Sequence, residues 1–261
     1  MAVVLRKITA FLDNEQDQKG YAEHQVEILR TIDDIHWSET AQVYCDTTVG
    51  EGSRVEQICH KGYISLIPFL VGLLGPNHPR VGAVLDVIQD SDQLWSDFGI
   101  RSLSREDEFY GTEENYWRSP IWININYMIL QKLQELAQSP GQYQERAREM
   151  HIQLRLNLVN TVFESWKQTG FAWEQYNPDT GKGQRTQHFT GWTSLIVKIM
   201  AMPDLKSEMQ PQVPARVRLF STPYSWRWMT ETFVYGMASG AFFLLFVKLL
   251  KRIWPSLMKK H

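Results

Sequence analysis

Three short stretches of this 261-residue chain are built alike. CHKGYISL (Cys59–Leu66), YWRSPIWI (Tyr116–Ile123) and HFTGWTSL (His188–Leu195) each place polar or charged residues before a Gly or Pro. An aromatic or large apolar residue follows, and then an apolar run. The runs, Tyr63–Leu74, Pro120–Leu133 and Thr193–Met202, are apolar nearly all round and predict helices that must be buried. Between them lie segments polar on one face. Lys19–Trp37 carries Ala22, Val26, Leu29, Ile32 and Ile35 close to the helical period, and Gln142–Gln168 is closed by Gly170 at a C′ position. Inner helices alternating with outer ones, and no strand-rich region, predict an all-α fold. An inner ring sheathed by an outer ring sets the polar starts of the inner helices at one mouth, around a cleft. The repeat is weak and irregularly spaced.

The remaining segments read more simply. The first residues, MAVVLRKITAF, form a helix, because Arg6 and Lys7 interrupt any signal-like run. Asp46–Arg54 and Asp90–Asn115 read as loops, and Val81–Ile88 as a short amphipathic piece. Pro120 falls in the first turn of its helix, where a missing N–H costs nothing. Residues 204–228 read as a Pro-bearing linker, and 229–261 as a hydrophobic tail. From Thr232 to Val247 there are 16 residues without charge, flanked by Trp226, Trp228 and Trp254. A bilayer span takes about 20. With Lys248 snorkelling the segment reads as a C-terminal hydrophobic helix that crosses a membrane; one more core helix, or a helix lying on a membrane, is the alternative. Lys251, Arg252, Lys259 and Lys260 then place the C-terminus on the cytosolic side.

A net charge of −2 excludes an electrostatic case for nucleic acid. Cys45 and Cys59 make neither a zinc pattern nor a disulfide framework; they read as free buried thiols, with pairing open in an oxidising compartment. Ten tryptophans are many. Most fill a helical core, but Trp117, Trp122, Trp173 and Trp192 sit at loop-to-helix junctions among polar residues, where an indole can stack on a sugar ring.

One stretch concentrates chemistry: GFAWEQYNPDTGKGQRTQHFTGW, Gly170–Trp192. Glu174 stands between Trp173 and Tyr176, and Asn177, Asp179, Thr180, Gly181 and Gly183 supply a turn. Glycoside hydrolysis by inversion sets two carboxyl groups roughly 6.5–9.5 Å apart, one as acid and one as base to water. Glu174 suits the base. Spacing alone also fits a structural acid in an aromatic loop.

The stretch WEQYNPDTGKGQ followed by HFTGWTSLIVKIM resembles the C-terminal signature of glycoside hydrolase family 63, that of the eukaryotic processing α-glucosidases. IHWSETAQVYCDTTV, HKGYISLIPFLVGLLGP, LWSDFGIRSLS and ENYWRSPIWININYMIL agree in order, so the resemblance runs over about Tyr21–Met202. It implies an (α/α)6 toroid, about half of it present over residues 1–203, and removal of the terminal α-1,2-linked glucose from N-linked oligosaccharide precursors by inversion. It implies no cofactor and no metal. Glu174 matches the general base. Tyr116, Trp117, Arg118, Trp122 and Asn124 match the cleft block, with Trp117 and Trp173 stacking on sugar, Tyr176 and Trp192 completing the aromatic frame, and Arg118 orienting Glu174 or a hydroxyl. For Arg118 a structural ion pair is the other reading. The resemblance implies the endoplasmic reticulum, and the hydrophobic tail with its flanking charges adds its membrane, with the helical domain luminal. The family's acid is an aspartate in a block expected before Met1. Asp46, Glu113 and Glu114 are the internal candidates, each read as structural. A partner chain supplying the other half of the toroid is a further expectation. Against the enzyme stand a non-catalytic, membrane-anchored module that binds glycan or partners, and a purely structural helical scaffold.

Overall fold

The computed structural model describes residues 2–205, so the linker beyond Leu205 and the hydrophobic tail of the sequence reading lie outside the described residues. Two helices open the chain, α1 (Ala2–Phe11) and α2 (Glu15–Thr31). Asn14 caps α2 by accepting from the Asp17 amide at 3.1 Å, and Glu15 and Asp17 complement the helix dipole in its first turn. The expected Lys19–Trp37 helix thus starts earlier and loosens into a π-turn over Ile32–His36. Asp33 ties that turn to the body: it pairs with Arg80 and His78 and accepts from the Tyr44 hydroxyl at 2.8 Å.

Two hairpins follow, β1 (Trp37–Ser38) with β2 (Val43–Tyr44), and β3 (Asp46–Val49) with β4 (Val55–Ile58). The second corrects the expected Asp46–Arg54 loop. Its register sets Asp46 opposite Ile58, which brings Cys45 and Cys59 face to face just beyond, and they form a disulfide. The free-thiol reading is corrected by that pairing.

The apolar run from Tyr63 is a 3₁₀ turn (Ile64–Leu66) and one short helix, α3 (Ile67–Leu70), rather than a helix to Leu74. The chain turns at Gly72, whose φ of 80° only glycine adopts freely, yet Leu66, Phe69, Leu70 and Leu74 remain buried. Then come α4 (Val81–Gln89), the hairpin of β5 (Trp95–Ser96) with β6 (Gly99–Ile100), and a 3₁₀ turn at Asn115–Trp117. Helix α5 (Ile123–Gln138) begins later than Pro120, because residues 120–122 are extended and paired. It packs against α6 (Gln144–Thr169), which ends on Gly170 in the left-handed conformation at φ 78°, as its position in the sequence predicts. The last elements are the hairpin of β7 (Trp173–Tyr176) with β8 (Gly183–Gln187), a 3₁₀ turn at Trp192–Leu195, and α7 (Ile196–Met200).

The described residues are therefore helix-rich, with four small hairpins that the all-α expectation omits. The core is apolar and continuous from Leu66, Phe69 and Leu85 to Ile129, Leu133 and Leu158. Across it runs a belt of single backbone bridges: Gly62 with Leu103, Arg101 with Ile121, and Ile121 with Tyr176. The belt joins the segments leading into α3 and α5 to the last residue of the Trp173–Tyr176 strand. Beneath it the buried Tyr63 hydroxyl donates to the Ile100 carbonyl at 2.7 Å and accepts from Trp122 N–H and Asn126 Nδ2. Asn126, fully buried, also accepts from the Ile100 amide at 2.8 Å, so this polar hub is satisfied. No helix among the described residues is long and apolar enough to cross a membrane.

Candidate active site

The polar, Gly-rich half of the Gly170–Trp192 stretch makes a tight reversal. Asn177 Oδ1 accepts from the amides of Asp179 and Thr180, both at 2.9 Å, and Gly181 turns at φ 68°. The chain returns as β8, antiparallel to β7, with Tyr176 opposite Gly183, Gln175 opposite Gln184 and Trp173 opposite Gln187. Between the last two pairs, Glu174 on β7 faces two residues of β8, Arg185 and Thr186. That is a β-bulge, a device that re-aims side chains.

Glu174 is only 8% exposed, so it is not a solvated loop acid. The Tyr116 hydroxyl donates to Oε1. The Thr186 hydroxyl donates to Oε2 at 2.7 Å, with the Thr186 amide at 3.4 Å from the same oxygen. Burial pushes the carboxyl up, but the donors Tyr116 and Thr186 and the Arg185 charge outweigh it and hold it below the ordinary carboxylate range. The same bond pushes the Tyr116 phenol up, aided by burial and the Glu174 charge, so Tyr116 keeps its proton.

The backbone around Glu174 is also fixed. Trp192 Nε1 donates to the Glu174 carbonyl at 2.8 Å, and Thr193 Oγ1 to the Trp173 carbonyl at 2.6 Å. Gln175 and Trp122 both donate to the Tyr116 carbonyl, at 3.1 and 3.2 Å. Two of the three aromatic openings therefore meet here. Trp117 stacks on Trp122 with ring centres 3.6 Å apart and planes 9° off parallel; Trp122 stacks on Trp192 at 5.1 Å; Tyr116 meets Trp122 edge-on at 4.7 Å. Trp122 is buried, whereas Trp117 is 52% exposed and carries an open indole.

Not every expected residue joins this cluster. Tyr176 is fully buried, its hydroxyl accepting from the Trp173 amide at 3.3 Å, because its bridge to Ile121 draws it into the core. Trp173 lies over Gly183 and donates from Nε1 to Thr169 at 3.0 Å, on the α6 side of the hairpin. Arg118 does not orient Glu174. It pairs with Glu113 at 3.0 Å, donates to Thr112 at 3.1 Å and lies over the Phe109 ring at 5.2 Å, which is the structural reading. Asn124, in the first turn of α5, keeps a buried Oδ1 without a hydrogen-bond partner among the described residues. The residues that sequence reasoning missed are Arg185 and Thr186. Both stand in the GKGQRT return of the quoted stretch, but only the strand register shows that they face Glu174. No His, Cys, Asp or Glu cluster suited to a metal ion occurs among the described residues.

Comparison with known proteins shows the family. The model of the glycosyl hydrolase family 63 C-terminal domain matches residues 1–202. A probable mannosyl-oligosaccharide glucosidase of Schizosaccharomyces pombe is 49% identical over 198 residues, covering 76% of this chain and 24% of that protein. The mannosyl-oligosaccharide glucosidase of Saccharomyces cerevisiae is 36% identical over 202 residues, covering 75% of this chain and 24% of that protein. The chain thus spans about a quarter of the length of these curated relatives. Among solved structures, a family 63 mannosylglycerate hydrolase from Thermus thermophilus in complex with glucose superposes with a TM-score of 0.54 at 17% identity, over 77% of this chain and 44% of that one. A structure titled sialidase gives 0.59 at 15% identity, over 75% of this chain and 18% of that one. At such identities the structures speak for the fold alone.

Proposed function

The chain belongs to glycoside hydrolase family 63, and from that premise we propose that it carries the base side of an inverting α-glucosidase site, with Glu174 taking the proton of the attacking water. The substrate in this reading is the terminal α-1,2-linked glucose of an N-linked oligosaccharide precursor. The observation that carries the reading is the two-hydroxyl cradle of Glu174. A carboxylate has about four lone-pair sites; the Tyr116 hydroxyl takes one on Oε1 and the Thr186 hydroxyl and amide take those on Oε2, leaving one on Oε1 to a water. The donors also keep Glu174 ionised, which a base requires before the water arrives. The open face of Trp117 is the sugar platform, backed by Trp122 and Trp192. The proton for the leaving oxygen comes from the family's aspartate block, delivered with the remaining helices of an (α/α)6 toroid. The chemistry calls on no cofactor. A Cys45–Cys59 disulfide suits an oxidising lumen, in accord with the endoplasmic reticulum.

The exposed Trp117 indole needs no second carboxyl to hold a sugar. It favours, as a second reading, a module that binds glucosylated glycan without cleaving it. One experiment separates the two. Residues 1–261, supplemented with the aspartate-bearing half of the toroid, are assayed for glucose release from, and binding to, a glucosylated oligosaccharide. Release that falls by about 10²–10⁴ in Glu174→Gln supports the enzyme. Binding without release, weakened in Trp117→Ala, supports the module. Neither binding nor release sinks both.

A further inference from the structure

We infer that the bulge Arg185–Thr186 is a positioning element for Glu174, with the Thr186 hydroxyl fixing one carboxylate oxygen and Arg185 fastening the Tyr116 loop that fixes the other; the inference rests on Glu174 being the reacting carboxylate. Regular pairing gives a strand residue one cross-strand neighbour. Here the interval from Trp173 to Gln175 is matched by the longer interval from Gln187 to Gln184, so Glu174 has two. Arg185 accommodates the extra residue by taking a φ of 65°, the left-handed region that a side chain disfavours. The distortion lets adjacent residues act on different partners. Thr186 reaches Glu174 Oε2 at 2.7 Å. The Arg185 guanidinium instead reaches Glu114 and, at 3.0 Å, Asn115 Oδ1, and lies 5.5 Å from the centre of the Tyr116 ring.

The two halves of the cradle are thus fastened together. Glu114 and Asn115 directly precede Tyr116, whose hydroxyl holds Oε1, so one bulge grips the carboxylate through β8 and steadies the loop that grips it from the other side. Rotation of the carboxylate breaks a hydrogen bond at either oxygen. Thr186 is itself exposed, so core packing does not account for its placement. An exposed hydroxyl ordinarily bonds water; this one is committed to a buried carboxylate.

The test reads Glu174 directly, in the full 261-residue chain and without sugar. Selective ¹³C labelling of glutamate, with Glu174→Gln for assignment, follows the titration of the Glu174 carboxyl by NMR. Thr186→Val keeps the shape and removes the donor. Its Glu174 midpoint is expected to rise toward the ordinary carboxylate range, while Thr186→Ser, which restores a hydroxyl, returns it to the wild-type position. Thr186→Ala is a second donorless variant if valine disturbs the hairpin. A midpoint unchanged in both donorless variants, or displaced as far in Thr186→Ser as in them, overturns the inference. Because no sugar enters the measurement, that failure leaves the glycosidase reading standing; loss of binding and turnover with the titration as expected sinks that reading alone.

Discussion

Gly183 has no room for a side chain. A Cβ there would fall within the Trp173 ring, and neighbouring Gly181 is nearly as constrained, its Cβ position lying 2.6 Å from Phe98. The two glycines let the β8 return lie flat under aromatic cover, which keeps the bulge opposite Glu174. Gly183→Ala is expected to destabilise the protein by about 1–3 kcal/mol, since the indole must shift and the hairpin with it. A lowered denaturant midpoint together with changed tryptophan fluorescence checks this; an unchanged midpoint refutes it. At the same scale, the place beside Glu174 that the family resemblance offered to Arg118 falls to Arg185. Arg118, inside the aromatic block, pairs with Glu113, while Arg185, in the plain GKGQRT return, bears on Glu174. The resemblance offered a cation near the carboxylate; strand register decided which one.

Helix α6 carries a histidine that the active site does not use. His151 is fully buried and neither ring nitrogen makes a hydrogen bond among the described residues. Burial first, then the nearby Arg155 charge, lowers it to about 4 against the opposing pull of Asp204. It stays neutral in the fold, while the unfolded chain takes up a proton at the ordinary value of about 6.5. Stability is therefore full above about pH 6.5 and drains away as pH falls towards about 4. His151→Leu is expected to remove much of the loss between pH 7.5 and pH 5, measured by chemical denaturation at both; an unaltered pH dependence argues against it. Elements of this size were the legible part of the sequence. Helix α6 has 26 residues and a glycine stop at Gly170, so its pattern is read several times over. The hairpins were not legible, because strands of 2–5 residues such as Asp46–Val49 carry too few positions to show a period. For the same reason Cys45 and Cys59 read as unpaired thiols: only the β3–β4 register sets them side by side. The Glu174 stretch was legible through its aromatic neighbours, but its hydrogen-bonding partners were not, since each is a cross-chain contact.

For the whole molecule, the disulfide is the one covalent closure. It spans a sequence separation of 14 residues, and the chain-entropy argument gives a loop of that size about 3 kcal/mol. Reduction is expected to lower Tm by roughly 6–12 °C at this domain size, seen in thermal melts with and without reductant. No change on reduction would show that the β3–β4 segment already opens below the global transition. The belt of bridges through Gly62, Leu103, Ile121 and Tyr176 has a different consequence. Tyr116 and Glu174 stand 58 residues apart in the chain, and the belt is one of the closures that bring the segments bearing them together. Closures of such reach come late in folding, after local helices have formed. A nascent or half-melted chain holds all the same residues, yet is chemically mute: its carboxylate gains a bearing only when the last stitch is drawn.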